Sequence, residues 1–393
     1  MRLSTAAAGL ETSLTRQLFN RAKELEDVID LTLGDPDLTP VQTIRDAAKN
    51  AIQEGKTHYS VNAGLAMARE AIAKSLEKEM NLSVDPETEL MLTVGGMGAL
   101  YLSIAALVSP GDEVLLAGPY YVNYAQMIHM RGGTPVIVYT EPKEHFRIHP
   151  EKLENAITEK TVALLLNSPC NPTGGVIDGD TLDELAQLAR RRDLAVISDE
   201  VYKTLLFDGA AYESIMTRPG MRERTILIDS MSKRFSMTGY RCGYAVGPAE
   251  VISAMTKMQE NTASCTPLPS QYAAIEAYSN HLEEHWIRDE FETRRNYIAQ
   301  AINGISGLSC LKPAGTFYLF VNIEGIGMDS IRFADALLED QHVAVVPGVT
   351  YGAPYSGYIR IAFTQKLDVL REAVERIRRF AEKAEKRAEE TKE

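Results

Sequence analysis

The stretch Thr225-Ile226-Leu227-Ile228-Asp229-Ser230-Met231-Ser232-Lys233, followed by Gly239-Tyr240-Arg241-Cys242-Gly243, decides how this chain is read. The apolar run 225–228 predicts a buried strand. Lys233 then stands among the small hydroxyl residues Ser230 and Ser232, with Arg241 a short way downstream. A lysine amine held near a dry pocket can form a Schiff base, and serine hydroxyls with an arginine suit a phosphate. Together they fit a phosphorylated aldehyde, of which pyridoxal phosphate is the commonest cofactor. On this stretch alone, a surface lysine following a strand is the competing reading.

Working outward, apolar runs recur at 91–94, 114–116, 136–139, 162–166, 194–198, 225–229 and 244–246. The third, fourth and fifth are continuous, as expected for strands buried on both faces. Segments 150–157 and 181–191 between them carry helical periodicity. The expectation is an α/β fold: a mostly parallel seven-stranded sheet with helices on both faces. Ligands in such sheets bind beyond the carboxyl ends of the strands, and unusual polar residues gather where these runs stop. Gly95-Gly96-Met97-Gly98 follows Val94, with a helix expected from Ala99. Gly118-Pro119-Tyr120-Tyr121 follows the second run, Asn167-Ser168-Pro169-Cys170-Asn171-Pro172-Thr173-Gly174 the fourth, and Asp199 and Tyr202 the fifth. From His285 onward the composition shifts to charged helix with two β-like segments, 315–322 and 358–363. This predicts a large domain over 46–285 and a smaller α+β domain from 1–45 and 286–393. The tail 378–393 reads as a solvated helix end without an apolar stripe after Phe380.

Each strand end carries a chemical argument. Asp199 closes a buried strand, where an unpaired carboxylate is costly; a pyridinium nitrogen supplies the positive partner and becomes an electron sink. An Asp capping the next helix is the alternative. Tyr202, three residues on, is placed to reach the ring's phenolic oxygen. Gly95-Gly96-Met97 opens a helix whose free N–H groups suit a phosphate. Tyr121 is placed to stack on the ring, although aromatics after strands also serve in plain core contacts. Asn171 sits between prolines that aim its amide into the cleft. Arg360, within the apolar Gly357-Tyr358-Ile359-Arg360-Ile361-Ala362-Phe363, wants a bidentate carboxylate, either a substrate's or an internal partner's.

Composition narrows the function classes. A formal net charge of -13 argues against a nucleic-acid partner. The run Arg190-Arg191-Arg192 is accounted for as a basic helix end. Four scattered cysteines without a CxxC pair favour reduced thiols over disulfides or zinc. No apolar run is long enough for a membrane span, and residues 1–14 lack the apolar core of a secretion signal, so a cytoplasmic location is expected. In His281-Leu282-Glu283-Glu284-His285, the glutamate a zinc protease needs after its first histidine is replaced by leucine, and the segment reads as exposed helix with no metal. Glycine-rich dinucleotide and phosphate-loop fingerprints are lacking.

Over Leu31 to about Phe380, these motifs resemble those of the class I/II aminotransferases, pyridoxal-phosphate enzymes of fold type I. The resemblance assigns the cofactor to Lys233, Asp199, Tyr202, Asn171, Ser230, Ser232, Arg241 and the Gly95-Gly96-Met97 turn, and the substrate carboxylate to Arg360 and Asn171. It places Gly34, in Leu33-Gly34-Asp35-Pro36-Asp37, near the bound amino acid. It makes Tyr59 a contact to a neighbouring subunit's cofactor phosphate, and so implies a homodimer with shared sites. Three positions depart from the family pattern. Tyr121 and Met97 stand where aspartate-specific relatives carry tryptophan and lysine, and Cys242 replaces an aliphatic residue. With Met97 there, no nearby cation is expected for a distal carboxylate, and aromatic or apolar donors should compete with aspartate. The resemblance implies transfer of an amino group from an L-amino acid to a 2-oxo acid such as 2-oxoglutarate, with Lys233 as proton shuttle. A β- or γ-lyase on the same fold, or a silent binding protein, are the rival readings.

Overall fold

The computed structural model describes residues 2–10, 14–282 and 285–390. Seven strands form the large sheet: β1 (Leu90–Val94), β2 (Glu113–Gly118), β3 (Thr134–Tyr139), β4 (Thr161–Asn167), β5 (Ala195–Asp199), β6 (Thr225–Ser230) and β7 (Cys242–Val246). Their order is β1-β7-β6-β5-β4-β2-β3. All neighbours pair in parallel except β7, which runs antiparallel to both β1 and β6. The central strands β5 and β6 are almost wholly buried, as expected of the continuous run in β5 and the apolar run 225–228 in β6. Strand β3 is not. It lies at the sheet edge with its first residue exposed and the rest half-buried, because an edge strand has a neighbour on one side only. Its continuous apolar run is therefore no sign of burial on both faces.

Register brings the chemistry together. Asn167 pairs with Asp199, and Asp199 with Ile228, so the carboxyl ends of β4, β5 and β6 lie side by side. The reversed β7 then pairs Gly243 with Ser230 and Cys242 with Val94. It thus starts where its neighbours stop, and delivers Arg241 to the same edge. Gly243 permits this convergence, since a Cβ there would sit 2.6 Å from the Gly95 carbonyl carbon and the Gly96 nitrogen.

Three helices leave that edge. Helix α1 (Gly95–Leu107) begins four residues earlier than Ala99, and α2 (Asn123–Met130) follows β2. The single turn α4 (Met231–Arg234) carries Lys233. Helix α3 (Gly179–Arg191), capped by Asp178, covers the sheet through Leu182, Leu185, Leu188 and Ala189.

A separate core collects Leu18, Leu31, Phe291, Phe317, Phe333, Ile359, Phe363, Ile377 and Phe380, joining the N-terminal segment to the C-terminal third. Tyr202, Leu205 and Phe207 reach into it from the large sheet's side. Here β8 (Tyr318–Asn322) pairs antiparallel with β9 (Tyr358–Ala362), with Phe320 opposite Arg360. Helix α5 (Leu367–Glu390) closes this core. Ala381 and Ala384 are buried along with Phe380, so the tail is not wholly solvated. Two alanines form a shallow stripe that a search for large apolar residues overlooks. His281 ends a helix at Leu268–Asn280 rather than continuing one, and lies 2.7 Å from the Thr43 hydroxyl; residues 283–284 of that motif are outside the described ones. Among the described residues no helix is long and apolar enough to cross a membrane, and no cluster of metal-binding side chains is found.

Candidate active site

A cavity of about 350 Å³ opens where β1, β4, β5 and β6 end. Gly34, Gly96, Met97, Tyr121, Asn171, Asp199, Tyr202, Ser230, Ser232, Lys233, Arg241 and Arg360 all line it. Gly95 lies just behind: its φ is +68°, and a Cβ there would fall 2.6 Å from an Arg241 guanidinium nitrogen. Glycine thus lets Arg241 lie against the start of α1. Tyr59 is outside the cavity and 85% exposed.

Asp199 is fixed from two sides. The Tyr124 hydroxyl donates to one carboxylate oxygen at 2.6 Å, and the Val201 N–H to the other at 3.3 Å. Burial pushes its pKa up to about 6, although Tyr124 and Val201 pull the other way. A cation beside it would reverse that shift. Across the cavity, Lys233 donates to the Gly34 carbonyl at 2.6 Å and lies over the Phe317 ring at 5.4 Å. Burial lowers its pKa to about 8; Asp35 opposes this, while Arg241 and Arg360 reinforce it. The neutral amine is the nucleophile and gains population as pH rises through that value. Trapping of a small aldehyde on Lys233 with borohydride, in protein stripped of bound carbonyl compounds, should climb up to about pH 8 and level off above it. A climb continuing to about 10, the ordinary lysine range, would show that the amine is not desolvated.

Arg360 is 4% exposed. One terminal nitrogen donates to the Asn171 side-chain oxygen at 3.0 Å and the other to the Thr32 carbonyl. Its guanidinium stacks 4.2 Å from the Tyr318 ring centre. Among the described residues it makes no ion pair, and its Nε has no hydrogen-bond partner; the buried Tyr351 lies beside it, its ring centre 5.3 Å from the guanidinium. Two desolvated donors on one wall are suited to an incoming carboxylate. Asn171 is held in turn by Asn167, whose side-chain oxygen accepts the Asn171 N–H at 2.8 Å. Tyr202 directs its hydroxyl to that of Tyr318, 3.1 Å away.

The N-terminal loop is drawn over the site by contacts from several elements. Thr238 donates to Asp35 at 2.7 Å, Arg294 pairs with Asp37 at 2.8 Å, and Ser236 donates to the Leu38 carbonyl.

The family model "Aminotransferase class I and II" matches residues 26–377. The chain belongs to this family. The aminotransferase is 40% identical over 367 residues to an aspartate aminotransferase of Pyrococcus abyssi, covering 92% of this chain and 94% of that protein. It is 37% identical to aromatic-amino-acid aminotransferase 2 of Thermococcus litoralis over 382 residues, covering 96% and 97% of the two chains. The solved structure described as Pyrococcus protein-A1 superposes with a TM-score of 0.94 at 38% identity, covering 98% of this chain and all of that one.

Several cavity residues of the aminotransferase escape a reading of strand ends. Tyr124 sits in the first turn of α2, and its only signal is a buried hydroxyl that must find a partner. Tyr318 lies within the β-like segment 315–322, and Tyr351 ends a short turn at Gly348–Tyr351. Arg16 is the consequential omission: it reaches the cavity from the N-terminal helix Leu14–Ala22, in company with Met97 and Tyr121. Its charge favours the ionised form of the Tyr121 phenol, whose pKa burial raises to about 12. The expectation that no cation of this chain lies near Met97 is therefore corrected. Tyr121 also accepts from Asn123 at 2.8 Å, and its hydroxyl lies 3.8 Å from the Met97 sulfur.

Proposed function

We propose that this aminotransferase works with pyridoxal phosphate, moving the amino group of an L-amino acid to a 2-oxo acid such as 2-oxoglutarate. The observation that carries this is the convergence of Lys233, Asp199 and Arg360 on one cavity. The residues fit the cofactor. The Gly95–Gly96 helix start, Ser230, Ser232 and Arg241 form a cradle for a phosphate, and Asp199 is a buried anion suited to a ring nitrogen. When bound, the cofactor supplies the electron sink that makes an amino acid's α-proton removable. Asp199 holds the positive charge that this role requires. Tyr202 and Asn171 would hold the ring's oxygen, and Tyr121 would cover its flat face. Arg360 and Asn171 orient the α-carboxylate. Lys233, its amine made less basic by burial, would take the α-proton and return it to the carbon on the far side of the amino nitrogen.

Tyr59, Val61 and Met67 are 85%, 62% and 62% exposed. So large an apolar exposure supports a homodimer in which a second copy covers it and receives Tyr59. The large and small domains over 46–285 and over 1–45 with 286–393, and a cytoplasmic location, belong to the same reading.

Arg16 bears on the donor. A panel of amino acids with 2-oxoglutarate, scored for glutamate, tests both reaction and range. Arg16→Met should lower kcat/KM for aspartate by about ten- to hundredfold, the scale of one charge-assisted hydrogen bond, and far less for phenylalanine or tyrosine. Equal losses on both classes would remove Arg16 from specificity. Pyruvate and ammonia formed without any oxo-acid acceptor would favour the lyase instead.

A further inference from the structure

Beneath the turn that carries Lys233 lies a buried polar cluster that lines no part of the cavity. Asp229, 2% exposed, ends the apolar run of β6. One of its carboxylate oxygens accepts the Ser230 N–H at 2.6 Å. The other lies 2.7 Å from the Lys203 amine and accepts the Tyr244 hydroxyl at 2.8 Å. Lys203 also donates to the Tyr244 oxygen at 3.1 Å. Lys203 and Tyr244 are themselves buried.

A buried ion pair is a poor source of stability, because stripping two charges of water costs about as much as their attraction returns. Its placement points to another use. Ser230 caps α4, its hydroxyl oxygen accepting the Ser232 N–H at 3.0 Å, and Lys233 comes next. Hydrogen bonds thus run unbroken from Lys203 and Tyr244 through Asp229 and Ser230 to the residue before Lys233.

We propose that Asp229, braced by Lys203 and Tyr244, is a positioning residue that sets the Lys233 amine in register with the substrate's α-carbon. The proposal rests on the proton-shuttle role of Lys233 given above. Misplacing a catalytic group by a fraction of its reach slows chemistry without weakening substrate binding.

The test compares variants of the cofactor-loaded enzyme. Asp229→Leu/Lys203→Met/Tyr244→Phe exchanges the cluster for apolar side chains of similar size and leaves the Ser230 N–H without its acceptor. It should still fold and bind the cofactor, yet lose about ten- to hundredfold in kcat with little change in KM. The isotope effect with an α-deuterated donor should grow, and the visible circular dichroism of the bound cofactor should change. In Asp229→Asn/Lys203→Met, the amide can accept from Ser230 and donate to Tyr244, so kcat should recover. In Asp229→Asn alone, the amide oxygen is drawn to Lys203 and kcat should fall. If the apolar variant fails to fold, this last pair decides: equal kcat in the single and double variants overturns the proposal. So does an apolar variant with full kcat and an unchanged isotope effect. If Lys233→Ala is inactive in either case, only the positioning role is lost; if Lys233→Ala stays active, the shuttle reading itself fails.

Discussion

Lys233→Ala is expected to abolish turnover while the protein still folds. The side chain is half-buried and faces the cavity, so its loss enlarges an existing space and opens no void in the core. Its contacts are a hydrogen bond to the Gly34 carbonyl and an approach to the Phe317 ring. Neither anchors a secondary-structure element. Among the described residues no other lysine lines the cavity, and the buried Lys203 is paired with Asp229. No second amine is therefore placed to take its part. A loss of at least ~10⁴-fold in kcat is expected, the upper range for one general acid–base group. Borohydride reduction of the wild type should attach the cofactor to this residue, as peptide mass analysis would show. Attachment to a different lysine, or an active Lys233→Ala, would refute the assignment.

Asp199→Asn is the second large effect. The amide keeps the shape and can still accept from Tyr124, whose hydroxyl now lies 2.6 Å from the carboxylate. What it loses is charge. Burial holds the carboxyl near 6, so its charge is present above that pH and lost as pH falls through it. A protonated ring nitrogen pulls the value down and extends the charged range to lower pH. The variant has no such charge at any pH. The chemical step should slow at least ~10²-fold, as when a preorganised electrostatic partner is removed. Cofactor affinity should fall less, because the phosphate cradle is untouched. Single-turnover rates close to wild type would show that the buried charge does not support the electron sink.

Much of this site is legible in the sequence because a parallel α/β sheet has a simple rule. Wherever an apolar run stops, the next few residues arrive at one common edge. Asn171, Asp199, Tyr202, Ser230 and Lys233 each follow such a run, so their meeting is already implied by strand type. Arg360 is legible for a different reason, as a guanidinium in an otherwise apolar strand demands an anion. Other features depend on which elements become neighbours. The reversal of β7, which puts Arg241 against Gly95, is set by long-range pairing and leaves no local period. The half-buried state of β3 depends on its place at the sheet edge, and the buried face of Ala381 and Ala384 on what α5 lies against. Tyr124, Tyr351 and Arg16 look ordinary in their own segments. They acquire roles because α2, the 348–351 turn and the N-terminal helix are folded onto the same cavity. Local sequence determined the strands, their ends and the chemistry carried there, since these follow from side-chain type and spacing. Only the tertiary structure decided which distant side chains complete the site, since desolvation, hydrogen-bond partners and charge depend on neighbours far away in the chain.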